Sequence, residues 1–446
     1  MKNKRLLIPV LLILIFSVPK SQSAQTNVDL ELLAEITKIK AIDNHAHPLR
    51  FVGEGDKPDD EYDALPLEGL EPFAMPPRID PRNPEYIAAW RALFGYTHND
   101  MKEDHLKELG AAKLRIMRAR GDSYPVWVLD QLNIETMFAN RVAMGRGLTA
   151  PRYRWVSFAD PLMVPLNNGA AQRSNPDYRV FYAGEDKLLK RYLAESKVTA
   201  LPASLDEYLN RVVTATLERH KRDGAVAVKF EAAYLRSLDF DDAPERDAQR
   251  VYAKYIRGAE PPAFEYKTLQ DFIFRYIARE AGRLGMAVHI HSLDGAGSFY
   301  KQSGGNPLLL ESAFNDPGLR KTSFVIVHGG YPFTKQTASL MSKSNVYADF
   351  SALTFLLYPR ALGEVLRNWL EFHPDKVLFG TDAFALTPEV GWEEGGWLAA
   401  STARRALALA LTGMMNDGEI TRDRALELAR MVMRENARRL YNLKSD

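Results

Sequence analysis

Cysteine is absent from this 446-residue chain, which excludes any disulfide and any lipid-modified cysteine. Net charge is nearly absent as well. Lys and Arg number 58 against 57 Asp and Glu, a formal +1, and the first 24 residues hold four bases and no acid, so the remainder carries about −3. Neither value suits a polyanion, so no nucleic-acid partner is expected. Low-complexity tracts and short-period repeats are missing, which argues against disorder and solenoids. A Gly-rich turn after the first strand, the mark of an open nucleotide-binding sheet, is missing too; that strand runs into His45-Ala46-His47-Pro48.

The apolar run from Leu6 to Val18, thirteen residues, is short for a membrane span. A basic start, Met1-Lys2-Asn3-Lys4-Arg5, precedes it, and a small polar stretch, Ser21-Gln22-Ser23-Ala24, follows. Residues 1–24 therefore read as an export signal cleaved near Ser23 or Ala24, with an uncleaved anchor as the alternative. The expectation is a periplasmic or secreted protein, residues 25–446, with no stable membrane association after cleavage.

What is present is apolar material, 46% of residues, enough for one large α/β domain or two ordinary ones. Residues 29–40 space Leu30, Leu33, Ile36 and Ile39 three apart, which predicts an amphipathic helix leading into the first strand. Residues 48–110, rich in Pro, Asp and Glu, make a long excursion. Strands are predicted over 134–139 and 153–158, and a helix over 204–221. Four later apolar runs each finish on one polar residue: 225–228 on Lys229, 286–290 on His291, 324–327 on His328 and 376–381 on Asp382. A further strand covers 345–351, and helices are predicted over 269–284 and 361–370. Alternation of buried strands with helices means a parallel sheet, and about eight strands ending at Asp382 favour a (β/α)8 TIM barrel over an open sheet. A second excursion, 236–266, follows the fourth strand; both excursions leave on the active-site side and are lid candidates, with packing insertions as the alternative.

In a strand, residues i and i+2 point the same way, so His45 and His47 reach one point at the strand's end. Strand ends in a barrel converge, which brings Lys229, His291, His328 and Asp382 to the same mouth. One strand-end histidine is more often structural, and an Asp after Gly-Thr often caps a helix. Four of nine histidines at strand ends, joined by a carboxylate, point instead to a metal such as zinc. His289, one step deeper on the same face, is a core residue or a partner of the ligands, with core preferred. His98, His105, His220 and His373 show no partner pattern.

The segments Asp43-Asn44-His45-Ala46-His47, Val327-His328-Gly329-Gly330-Tyr331-Pro332-Phe333 and Leu378-Phe379-Gly380-Thr381-Asp382-Ala383 resemble the metal-dependent amidohydrolase superfamily in its amidohydrolase-related branch. From Leu269 to Leu443 the resemblance is nearly continuous and is closest to the amidohydrolase module of nodulin and glutamine-synthetase-like fusion proteins. It implies a metal centre of His45, His47, His291, His328 and Asp382, with a divalent ion, zinc first and Mn2+ or Fe2+ as alternatives. It also implies that Lys229, where carboxylated, bridges two ions; the alternatives are a charge for a substrate carboxylate or an ion pair with Glu231. One ion or two stays open. Ser292-Leu293-Asp294-Gly295 departs from the family's Thr-Gly-rich turn, a difference that concerns substrate choice.

The implied chemistry is hydrolysis of an amide, lactone or related ester of a small molecule by a metal-activated water, with Asp382 as base and then acid and His328 orienting or polarising. A zinc-dependent non-oxidative decarboxylase of the same superfamily is the rival enzyme, and a non-catalytic metal or ligand-binding protein the third class. Tyr234, Arg236, Asp294 and Tyr331, just beyond strand ends, are candidate substrate contacts. A homo-oligomer is compatible with all of this.

Overall fold

Short apolar runs with no polar alternation can be strands only where both faces are covered, and these are. The computed structural model describes residues 27–64 and 69–444. The export leader expected over 1–24 lies outside the described residues. No described helix is long and apolar enough to cross a membrane. Eight strands, β1 (Ala41–Ala46), β2 (Ile134–Asn140), β3 (Tyr153–Phe158), β4 (Ala225–Phe230), β5 (Ala287–His291), β6 (Phe324–Val327), β7 (Val346–Asp349) and β8 (Val377–Leu378), follow one another in sequence order around one sheet. Every adjacent pair is parallel. The ring is completed between β8 and β1 by backbone bonds from Asn44 N–H to Phe379 O (2.9 Å), Asp382 N–H to His45 O (2.7 Å) and His47 N–H to Ala383 O (2.8 Å). This is a TIM barrel.

Two cores follow from the barrel. The larger packs the helices on the outer faces of the strands. The smaller takes side chains from inside it, among them Ile42, Phe138, Val156, Ala227, Ala287, Val325 and Leu378, and is closed from below by Ala437, Leu440 and Tyr441 of the C-terminal helix Asn436–Leu440 and the residues after it. The Tyr441 ring stands edge-on to Phe138 at 4.4 Å. The tail is thus a plug, and what remains above it is the polar layer.

Local details differ from the sequence pattern in three places. The helix Leu30–Lys38, capped by the Asp29 carboxylate on Leu32 N–H (2.9 Å), buries Leu32 and Ile36, while Leu30 is 73% exposed. Such a cap is worth about 1 kcal/mol. The last strand is only Val377–Leu378, because the chain leaves extended geometry to place Asp382 at φ +56°. Lys229 lies within β4, one residue before its end.

Candidate metal centre

The site begins with the register of β1, which shifts against β2 between Asp43 and Ala46 and so re-aims the strand's end. Asp43, buried, accepts from Thr381 Oγ1 (2.5 Å), Thr381 N–H (2.9 Å) and His45 N–H (3.2 Å), tying the ends of β1 and β8 together. Burial pushes its carboxyl up to about 7. His328 and Asp382 both take left-handed backbone, φ +64° and +56°. Such strain costs roughly 1–3 kcal/mol per residue and tends to gather at functional sites. Gly329 (φ +59°) follows at once, and a Cβ there would drive into the Trp369 indole.

These turns bring the strand ends together. His45, His328 and Asp382 each offer a donor atom within 4.8 Å of the others. His45 Nε2 lies 3.1 Å from Asp382 Oδ1, and His47 Nε2 lies 3.5 Å from the same oxygen. His328 Nδ1 is 3.9 Å from Asp382 Oδ2, and the His291 and His328 rings are 4.8 Å apart. His45 Nε2 and His291 Nε2 are buried without a hydrogen-bond partner. Buried nitrogens in that state are costly unless something takes their lone pairs.

A ring of supporting side chains fixes the imidazoles. The Asp63 carboxylate holds His47 Nδ1 at 3.0 Å, which leaves Nε2 as the lone-pair nitrogen. Asn140, on β2, meets His45 Nδ1 at 2.6 Å. Ser351 gives its only hydroxyl proton to Asp349 Oδ1 (2.5 Å), so at the 2.8 Å contact with His328 Nδ1 it accepts, and His328 carries its proton on Nδ1. Asp349 also accepts from His328 N–H (2.9 Å) and from Asn44 Nδ2 (2.7 Å). Asn44 Oδ1 in turn accepts from Tyr441 OH (2.5 Å), whose oxygen receives His289 Nε2–H (2.7 Å). A continuous hydrogen-bonded chain therefore links the plug to His328, and His289 belongs to it.

Burial dominates the electrostatics. It holds His45, His291 and His328 well below the ordinary histidine range, reinforced in each by the Lys229 charge. For His47, burial alone would act the same way, but the Asp63 carboxylate beside it outweighs burial and the net shift is upward. Burial raises Asp382 to about 7, against the pull of His47 and Lys229. Lys229 is wholly buried, its Nζ 3.1 Å from Glu231 Oε1; the Glu231 N–H donates to Asp160 Oδ2 (2.7 Å).

Imidazoles and a carboxylate gathered at the ends of β1, β5, β6 and β8 are joined by a match to a known family. The amidohydrolase family model matches residues 42–443. The chain belongs to the amidohydrolase family. A curated relative, Protein fluG of Emericella nidulans, is 25% identical over 230 residues; the match takes in 49% of this chain and 26% of the relative, so the amidohydrolase spans about a quarter of that protein's length. Among solved structures, a provisionally assigned metal-dependent hydrolase from Lactobacillus casei superposes at TM-score 0.60 with 14% identity, covering 93% of this chain and 99% of the other. Glucuronate isomerase from Caulobacter crescentus gives TM-score 0.60 at 14% identity, covering 93% and 94%. At such identities the likeness is one of fold.

Beside the histidines and Asp382 lies a cavity of about 730 Å³. The first excursion covers it: Asp63, Phe73, Met75 and Ile79 are in its wall. The second does not. No described lining residue comes from 236–266, whose helix Glu245–Tyr255 buries Val251 and Tyr252, so this insertion serves packing rather than closure. Tyr234, Asp294 and Tyr331 line the cavity, with the Tyr234 ring 4.6 Å from His291. Arg236 is not in its wall; the guanidinium pairs with Asp271 (2.7 Å), bonds Gln270 (3.1 Å) and lies 4.5 Å over Phe240. Its charge is satisfied by the scaffold, which corrects its assignment as a substrate contact.

His98 and His105, without a partner pattern in sequence, stack at 3.5 Å and pair with Glu108 and Asp100. Asp63, Asn140 and Tyr441 escape sequence reasoning because each meets its histidine from another segment or loop, whereas the Glu231 pairing with Lys229 was one of the readings the sequence offered. Asp349 and Ser351 carried a readable signal: they alternate at a strand end just as His45 and His47 do.

Proposed function

We propose that this amidohydrolase is a metal-dependent hydrolase acting on an amide, lactone or related carbonyl bond of a small molecule, and that it works outside the cytoplasm. The observation that carries the reading is the donor set: the buried imidazoles of His45 and His291 with unsatisfied Nε2 atoms, and the Asp382 carboxylate 3.1 Å from His45, a combination that fits a borderline cation such as zinc. His45, His47, His291 and Asp382 would hold the ion, with His328 beside them. A divalent ion there lowers the pKa of water toward neutrality and polarises a carbonyl. Asp382, beside the histidines that would hold the ion, would accept a proton from that water and return it to the leaving nitrogen or oxygen. His328, its proton held on Nδ1 by Ser351, presents Nε2 as an acceptor only. Asp63 and Asn140 keep their imidazoles in place. The Lys229 to Glu231 contact favours an ammonium over a carboxylated lysine, hence one ion. Export rests on the reading of residues 1–24.

The test is turnover of an ester, lactone and amide panel by the purified chain before and after chelation, with carbon dioxide followed in parallel. Hydrolysis lost on chelation and restored by zinc, manganese or iron(II) supports the proposal. Carbon dioxide release without hydrolysis would establish the decarboxylase instead, and a chain that binds metal but turns over neither class would be a binding protein.

A further inference from the structure

The cavity wall is one-sided in charge. Among the described residues that line it there is no arginine and no lysine. The bases on the adjoining segment are engaged elsewhere, Lys229 wholly buried against Glu231 and Arg236 against Asp271. Of the acids in the wall, Asp63 is taken by His47, Asp382 faces His45 and Glu231 gives one oxygen to Lys229. Asp294 is different. Its backbone N–H is fixed to Tyr331 O at 3.1 Å, but its half-buried carboxylate makes no hydrogen bond or ion pair with any described residue. Burial raises the Asp294 carboxyl, the mark of a charge losing water without gaining a partner. Elsewhere the wall carries a group of apolar side chains of ring size, Phe73, Met75, Phe181, Leu293, Phe355 and Phe384.

We propose that the amidohydrolase selects substrates with an apolar, ring-sized body and a cationic amine, the ammonium pairing with Asp294, and discriminates against substrates whose non-reacting part is anionic. The proposal deepens the hydrolase reading, since it takes the same cavity as the substrate pocket. An anionic group entering here would shed water against carboxylates with no arginine or lysine in the wall to receive it, whereas an ammonium would satisfy Asp294, neither of whose oxygens has a partner among the described residues. Asp63 and Asp382 face the histidines that would hold a divalent ion, whereas the Asp294 carboxylate has no ion-pair partner among the described residues.

Binding, rather than turnover, tests it. Calorimetric titration of the metal-loaded full chain with 2-phenylethylamine and with 2-phenylethanol, equal in shape and unlike in charge, should give at least about tenfold tighter binding of the cation. In Asp294→Asn the two affinities should become equal, and in Asp294→Lys the order should reverse, with melting temperatures within about 1–2 °C of the wild type showing that both variants fold. Equal affinities in the wild type, or a cation preference that survives in Asp294→Asn, would overturn the proposal. If the chain hydrolyses nothing yet keeps an Asp294-dependent preference, the hydrolase reading falls and the pocket assignment stands; hydrolysis without the preference has the opposite meaning.

Discussion

Replacing Tyr441 by Phe removes a single oxygen from the plug beneath the barrel, and the consequence can be worked out from two contacts. That oxygen donates to Asn44 Oδ1 at 2.5 Å and accepts His289 Nε2–H at 2.7 Å, and Asn44 and His289 are both wholly buried. The variant therefore leaves one acceptor and one donor unsatisfied. Moving the proton does not rescue His289, because its Nδ1 also lacks a partner, so whichever nitrogen carries hydrogen has nowhere to place it. Each orphaned buried group costs about 1–3 kcal/mol, so the pair should cost about 2–6 kcal/mol. For a chain of this length that is a fall of about 2–6 °C in melting temperature. The assay is a thermal melt of Tyr441→Phe beside the double variant with His289→Leu, which removes the stranded donor. The double variant should be less unstable than the sum of the two single changes by about 1 kcal/mol or more. A Tyr441→Phe melt within about 1 °C of the wild type, or strict additivity, would refute the claim that Tyr441 anchors the chain from His289 to Asp349.

Other expectations follow from the same geometry. His220 packs against Trp155 and Tyr192 and is held by burial at about 3, against an ordinary 6.5, so it stays neutral in the fold while the unfolded chain protonates. Its contribution to stability is complete above pH 6.5 and is lost as pH falls toward 3, at about 1.4 kcal/mol per pH unit; His220→Phe should flatten the acid limb of a stability–pH curve by that slope, and an unchanged slope would count against it. Asp63→Asn removes the carboxylate that orients His47, and competition with a chelator should show cation affinity lower by about 10–100-fold. An unaltered affinity would mean that His47 needs no such support. Ser351→Ala frees the Nδ1 proton of His328, and its imidazole nitrogen NMR shifts should then report a mixed tautomer in place of the single Nδ1–H form.

How much of this was legible in the sequence depends on how each residue acts. Buried parallel strands must be apolar, and a residue at the end of one is released from that demand, so His291, His328 and Asp382 stand out as polar terminations of apolar runs. His45 and His47 were readable through the two-residue period of a strand. What spacing cannot carry is contact between distant segments: nothing in the acid-rich run before Pro66 separates Asp63, which meets His47, from Asp59, which pairs with Arg141 at 2.7 Å. Arg236 failed for the same reason, since position beyond a strand end gives no sign of Asp271, which captures it. The helix Leu30–Lys38 was read correctly as a helix, while its buried stripe was set by the surface it packs on and runs through Leu32 instead of Leu30.

Elemental analysis of the purified chain bears most directly on the central claim. About one equivalent of a divalent metal per chain is expected, lost in His45→Ala and retained in Lys229→Met, because His45 Nε2 would be a ligand while Lys229 Nζ is engaged with Glu231 at 3.1 Å. Wild-type protein that holds no metal after exposure to zinc, manganese or iron(II), or His45→Ala that holds as much as the wild type, would contradict it.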